Sequence, residues 1–277
     1  MGWLWADPVK SEACPVSGNS QGSQCPVAHK SVPKGEETNS SDGCPVLHGS
    51  NPQNGLNPLN NIPAHLSHER QPHQNLELPK DRTTSSIPKG SEKNGEFWEY
   101  PSPQQMYNAM VRKGKIDPNT GEEVPEDAVE SMVFVHNFLN EGCWQEILDW
   151  EKKYTEDTNV EPKLLQFMGK PTQYSPRARW FNFLGTVFPT WFSGELPFDR
   201  HDWTVLRPDP KSTDTEHPGF RKVRYVIDFY GGPDDEEGLP TFNLDVRPAL
   251  VDLTSAKDRF TRWTEPILTE YFGDNKK

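Results

Sequence analysis

Aromatic side chains are nearly missing from the first third of this 277-residue chain. Residues 1–96 contain only Trp3 and Trp5, and the other 28 Trp, Tyr and Phe follow from Phe97 onward. A segment so poor in large apolar groups cannot bury enough surface to offset its ordering entropy. The composition therefore predicts a long disordered tail over residues 1–96 and a folded part over residues 97–277, large enough for a real core. Long hydrophobic runs are missing too. No stretch approaches the roughly 18 consecutive apolar residues of a membrane span. The most apolar piece, residues 180–192, is short and interrupted by Asn182, Gly185 and Pro189. The start, MGWLWADP, has no basic region and no Arg-rich transit helix, and Ala6 stands where a myristoylation motif needs Ser or Thr. Trp3, Leu4 and Trp5 suit either a membrane interface or a frayed apolar end. Positive charge is scarce. With 29 Lys and Arg against 41 Asp and Glu, the net charge is −12, which argues against nucleic acid as a partner. Most of it, −10, lies in residues 97–277. Such a surface either attracts a basic partner and speeds encounter or simply aids solubility.

The tail does contain a repeat. Cys-Pro-Val occurs at Cys14, Cys25 and Cys44, followed four residues on by Gly18, His29 and His48 respectively. The cysteine spacing matches no zinc site and no closely paired redox motif. Cys followed by Pro is a recurrent ferric-haem signature: the thiolate binds iron, and Pro removes an N–H donor and directs the chain away. Three copies point to haem contact, with a low-complexity repeat as the alternative. The fourth cysteine, Cys143, opens an amphipathic helix and reads as a packed core thiol.

In the folded part, Ser102 is a plausible N-cap, Pro103 fits the first helical position and Gly114 fits the stop. Met106, Ala109 and Met110 mark the expected buried stripe. A second helix starts near Pro125, with Ala128, Met132, Val135 and Leu139 on one face. Asn140-Glu141-Gly142 should break it, and a third helix follows with Trp144, Ile147, Leu148 and Glu151 on one side. Residues 175–192 are ambiguous. The period then changes to two. Residues 222–230 and 241–247 alternate as an antiparallel hairpin around the loop GGPDDEEGLP, and residues 203–207 add a strand. Residues 252–272 form a terminal helix, bent or ended near Pro266. Helices first and strands later give an α+β fold, with helices around an antiparallel sheet.

Five of the eight histidines lie in the tail, leaving His136, His201 and His217. His217 sits in a polar loop and is expected at the surface. His136 flanks the apolar face of the second helix, where a satisfied core histidine and a ligand are both reasonable. His201, in LPFDRHDW, lies between Asp199 and Asp202. That cluster either orients a proton-transfer histidine or forms a turn at a strand start. A hydrolase built on His201 lacks any nucleophile elbow.

The runs EFWEYPSPQQMYNAMVRKGK, HNFLNEGCWQEIL, SPRARW, ELPFDRHDW, VRYVIDFYGG and LDVRPAL, across about residues 96–262, resemble the holocytochrome c synthase (cytochrome c haem lyase) family in its order. The Cys-Pro-Val tail and the MGWLWADP start resemble its fungal cytochrome c form. The resemblance implies covalent attachment of haem b to apocytochrome c, through thioether bonds between the haem vinyl groups and the two cysteines of a CXXCH segment. It implies His136 as axial iron ligand, Asn137 and Glu141 in haem or substrate handling, and Trp98 and Tyr100 as aromatics near the haem. His201, Asp202 and Arg207 correspond to a second functional cluster. Arg177 and Arg179 suit the haem propionates on chemical grounds. The implied setting is the mitochondrial intermembrane space, peripheral on the inner membrane. Residues 208–219 look like a variable insertion, and no role is carried over there. A cytochrome c1-specific lyase and a haem-sensing regulator using the tail are the alternatives.

Overall fold

The computed structural model describes residues 57, 59–60, 67–72, 74–91, 95–112, 125–236 and 240–272. The expectations for MGWLWADP, Cys14, Cys25, Cys44 and Gly114 lie outside these residues. In chain order the elements are β1 (Thr84–Pro88), β2 (Phe97–Glu99), α1 (Pro103–Arg112), α2 (Val129–Thr158), β3 (Lys163–Gly169), α3 (Pro176–Val187), β4 (Asp199–Pro208), β5 (Phe220–Gly231), β6 (Phe242–Pro248) and α4 (Leu253–Phe272). The expected α+β class is borne out.

Alternation builds the main sheet. Its four antiparallel strands run β3-β4-β5-β6, with Trp203 opposite Tyr225, Val205 opposite Val223, and Ile227 between His201 and Val246. These residues share one face, because successive strand side chains point to opposite sides. That face packs on Cys143, Trp144 and Ile147 of α2 to form the core. Each side chain fully buried there contributes about 1.5–3 kcal/mol. Cys143 is completely buried in it, as expected, and burial pushes its thiol pKa far up.

The expected break at Asn140-Glu141-Gly142 does not occur. α2 is one helix of 30 residues, and its buried stripe of Val129, Val133, Asn140, Cys143, Trp144, Ile147 and Glu151 runs straight through the site of the break. A helical Gly costs only about 1 kcal/mol against Ala. Here it also allows close packing: a Cβ on Gly142 would stand 3.3 Å from Leu244 Cδ1. α2 ends instead at Asn159, whose left-handed backbone (φ 54°) closes the helix through an N–H bond to Thr155 O.

α1 starts as expected. Ser102 Oγ accepts from Gln105 N (3.3 Å) and Gln105 Oε1 accepts from Ser102 N (3.1 Å), a reciprocal capping box. Its buried side is Gln104, Gln105 and Tyr107 rather than Met106, Ala109 and Met110. Tyr107 packs with Leu78 and Val129, and Met110 lies at the edge of that cluster. The ambiguous residues 175–192 begin with α3, whose N-cap Ser175 accepts from Ala178 N. α4 continues through Pro266 to Phe272.

The ordered chain also begins earlier than the aromatic count suggests. β1 pairs with β2, Leu78 and Ile87 are buried, and Gly90 N–H bonds Leu164 O at 2.8 Å. Polar contacts do much of the holding, which is why composition misses them. The Glu126 carboxylate accepts the N–H groups of Asn75 (2.9 Å) and Leu76 (2.6 Å), and Gln74 and Gln104 pair side by side. A chain begun at residue 57, which keeps the bond from Phe167 N–H to Leu59 O (3.0 Å), should therefore unfold like the full protein. One begun at residue 97 should lose about 3–6 kcal/mol from Leu78 and Ile87 alone. Urea unfolding of the two truncated chains checks this.

Candidate functional site

The early part of α2 crosses the end of the sheet where β4 begins. Between them lies a cavity of about 360 Å³, lined by Ser131, Met132, Val135, His136, Leu139 and Asn140 of α2, and by Phe198, Asp199, His201, Phe229 and Phe242. The face expected to be buried in the second helix, Met132, Val135 and Leu139, is thus the cavity wall. Among the described residues no Lys or Arg lines it.

His136 and His201 meet here. Burial, and then the neighbouring His201, hold the His136 pKa below 6.5, while Asn137 and Asp199 oppose the shift. Asn140, one helical turn on, places its Nδ2 3.1 Å from His136 Nδ1 and donates to His136 O at 2.8 Å. His201 Nε2 lies 3.1 Å from Asp199 Oδ2. Its ring meets Phe229 edge-on at 5.1 Å, and its buried Nδ1 has no hydrogen-bond partner among the described residues. Burial acts to raise the Asp199 pKa, but His201, the Arg200 N–H and His136 outweigh it and keep the carboxylate ionised. The site therefore combines an apolar slot, a neutral imidazole able to ligate a metal, and a second imidazole oriented by a carboxylate.

Other expected site residues lie elsewhere. Asp202 faces the opposite side of β4 from His201, buried between Lys170 Nζ (2.7 Å) and Arg200 Nη2 (2.8 Å). Asp199 is the one that reaches His201. Glu141 points to the far flank of α2. There it accepts from Ser85 Oγ (2.6 Å), Ser86 Oγ, Ser86 N (3.2 Å) and Tyr100 OH (2.8 Å). Burial alone would raise the Glu141 pKa, but these donors lower it. Trp98 donates to Leu164 O (3.1 Å) and packs edge-on against Phe167. These residues fasten the N-terminal hairpin to α2 and β3. Asn137 buries its carboxamide oxygen on α2.

The arginines also serve packing. Arg177 binds both oxygens of Asp245 (2.8 and 2.6 Å), and Arg179 is exposed on α3. Arg207 does share a face with His201, Trp203 and Val205, as the alternation predicts. It lies six residues further along the strand, roughly 20 Å away at about 3.3 Å per residue, where it pairs with buried Glu151. It cannot reach the cavity. Asn140 and Phe198 are among the cavity residues that sequence reasoning missed, with Ser131, Phe229 and Phe242. The signal for Asn140 was its i+4 spacing from His136.

The sequence model of the cytochrome c/c1 heme lyase family matches residues 1–263. The chain is 57% identical over 271 residues to holocytochrome-c synthase of Saccharomyces cerevisiae, covering 97% of both chains. It is 52% identical over 187 residues to a putative holocytochrome-c synthase of Schizosaccharomyces pombe, covering 67% of this chain and 44% of that one. A putative holocytochrome-c1 synthase of Schizosaccharomyces pombe is 39% identical over 210 residues, covering 74% of this chain and 82% of that one. No solved structure matches the chain.

Proposed function

The chain belongs to the cytochrome c/c1 haem lyase family, and from that premise we propose how the cavity beside His136 serves the reaction. The protein is a lyase that joins haem to apocytochrome c through thioether bonds to the two cysteines of CXXCH. Identity of 57% to a holocytochrome-c synthase, against 39% to a putative c1 synthase, favours cytochrome c as the acceptor. Haem b enters the cavity against Met132, Val135, Leu139, Phe198, Phe229 and Phe242, with its iron on His136. The observation that carries this reading is a half-buried imidazole, biased to its neutral form, on the wall of an apolar slot. Among the described residues no Lys or Arg lines the cavity, so the propionates would be held at its open side. A ligating imidazole donates its other ring N–H to an acceptor, a role Asn140 would fill only with its carboxamide oxygen, rather than Nδ2, turned to His136 Nδ1.

Each addition joins the thiol sulfur to the inner vinyl carbon and puts one proton on the terminal carbon. The thiol gives up one proton, so none need be supplied from outside. His201, held by Asp199, carries that proton in our reading. The CXXCH histidine takes the second axial position and so sets both cysteines against both vinyls, which makes orientation the protein's main contribution. Asp199→Asn should slow haem attachment about tenfold to a hundredfold, at or below the lower end of the roughly 10²–10⁴-fold that general acid–base catalysis supplies, because the variant keeps His201 and loses only its orienting carboxylate. Asp202→Asn should instead lower stability and leave the rate of the folded enzyme unchanged. Single-turnover formation of covalent haem, followed with thermal melts, separates the two.

The pH response follows from the same site. Protonation of His136 competes with iron. Because its pKa lies below 6.5, haem binding should persist through the ordinary histidine range and weaken only as the pH falls below it. A haem titration against pH with its midpoint at or above 6.5 would contradict this. We take the catalytic domain to run from the N-terminal hairpin to the C-terminus, and keep Cys14, Cys25 and Cys44 as ferric-haem ligands outside it. The working place we propose is the intermembrane space, peripheral on the mitochondrial inner membrane. Among the described residues no helix is long and apolar enough to cross a membrane.

A further inference from the structure

α3 and the chain that follows it form a rigid hook whose large side chains face outward. The inside of the hook is made by glycines: a Cβ on Gly185 would stand 2.4 Å from Gly194 Cα, so the helix and its return touch backbone to backbone. Asn182 Nδ2 donates to Gly194 O (2.7 Å), Phe188 N–H closes the helix on Leu184 O (2.7 Å), and Phe181 packs with Phe192. The outer surface is Trp180, Phe183, Val187, Phe188 and Trp191, exposed by 58%, 55%, 49%, 52% and 64%. Trp180 and Phe183 stack on each other in the open at 5.8 Å. A fold that packs glycine inward and displays two Trp and two Phe has the order of an ordinary core reversed. Contiguous exposed apolar surface of this kind marks an interaction site.

Charge selects the partner. In a chain of net charge −12, residues 162–194 contain no Asp or Glu. Lys170 and Arg177 are paired with Asp202 and Asp245 from neighbouring strands, and Arg179 stands exposed beside Trp180. An anionic surface would repel most of the protein and accept this face. The α3 helix has 12 residues, about 18 Å at 1.5 Å per residue, against the roughly 30 Å of a bilayer core. It can lie in a bilayer interface but cannot span it. Trp and Phe beside Arg is the composition that such interfacial seating favours.

We propose that the hook formed by residues 176–194 seats the protein on a bilayer surface containing anionic phospholipid, with Trp180, Phe183 and Trp191 inserted at headgroup depth. This deepens the peripheral attachment proposed above and rests on that part of the reading alone. The experiment uses the full chain with vesicles of phosphatidylcholine, alone or mixed with phosphatidylserine, in a sedimentation assay. The wild type should sediment with the mixed vesicles. The triple variant Trp180→Ser, Phe183→Ser, Trp191→Ser should partition at least tenfold less. A variant of the exposed α4 aromatics, Phe260→Ser with Trp263→Ser, should partition like the wild type. Arg179→Glu, a change at an exposed position, keeps the test open if the triple variant misfolds, and should weaken binding to the mixed vesicles about thirtyfold, since it reverses one charge. Covalent haem attachment in vesicle-free solution is measured in the wild type, the triple variant and the α4 variant. Lost sedimentation with attachment retained is the expected pair of results, and attachment lost in the folded wild type would fault the catalytic reading instead. Wild-type protein that ignores both vesicles, hook variants that bind undiminished, or a hook-dependent dimer in sedimentation velocity would overturn the proposal.

Discussion

Replacing Arg207 by Ala should unravel the centre of the protein rather than empty the cavity proposed for haem. The guanidinium is 1% exposed. It donates through Nε and Nη2 to Glu151 Oε2 (2.7 Å) and Oε1 (2.8 Å), and through Nη1 to Asp258 Oδ2 (2.8 Å). It also lies 3.9 Å over the Tyr154 ring. Glu151 is fully buried and accepts a further bond from Tyr225 OH. One cation thus joins α2, β4 and α4. Its removal leaves the Glu151 carboxylate buried without its charge partner, a loss of about 3–5 kcal/mol. At about 2–4 °C per kcal/mol for a domain of this size, the melting temperature should fall by about 6–20 °C. Below that temperature the variant should bind haem normally. Arg207→Met with Glu151→Leu should recover part of the loss, since a buried pair replaced by apolar groups of similar volume is often no less stable. Weakened haem retention at full thermal stability would return Arg207 to the site.

That reversal shows what the sequence could and could not carry. Periodicity placed β5, β6 and the face of β4 correctly, because a two-residue period with one buried side leaves little freedom of register. It put His201 and Arg207 on one face, which is true, and together, which is not. A face is about 20 Å long over six strand residues, and periodicity has no origin along the strand. The break at Gly142 and the late start of the folded part fail for related reasons. Local propensity at Gly142 is outweighed by a continuous buried stripe along α2. The N-terminal hairpin is held by carboxylate and amide contacts that leave little trace in an aromatic count. His136 and His201, which the resemblance put in two separate clusters, line one cavity. Which acid accompanies His201 was not legible. Asp199 and Asp202 are one period and a half apart, and only the strand's orientation says which of them shares a side with His201.

His136→Ala should abolish haem attachment while leaving the fold intact. The side chain is half-buried on the cavity wall and takes no part in the core cluster, and its ring contact is to Asn140, a neighbour on the same helix. Truncation there enlarges a slot that is already open. The cost in stability should stay near 1 kcal/mol, typical of a substitution outside a packed core. On the proposed ligation the cost in function should be nearly complete, since the haem would lose both its anchor and its register against the CXXCH cysteines. Co-expression with apocytochrome c in a bacterium lacking its own maturation machinery reads this as loss of covalent haem from the substrate.

The most direct measurement is the optical spectrum of haem bound to His136→Cys. If the residue at position 136 is the iron ligand, exchanging imidazole for thiolate must move the Soret band of any haem retained, and His136→Ala must lose the haem. A Soret band in His136→Cys identical to that of the wild type, with haem retained in His136→Ala, would contradict the account.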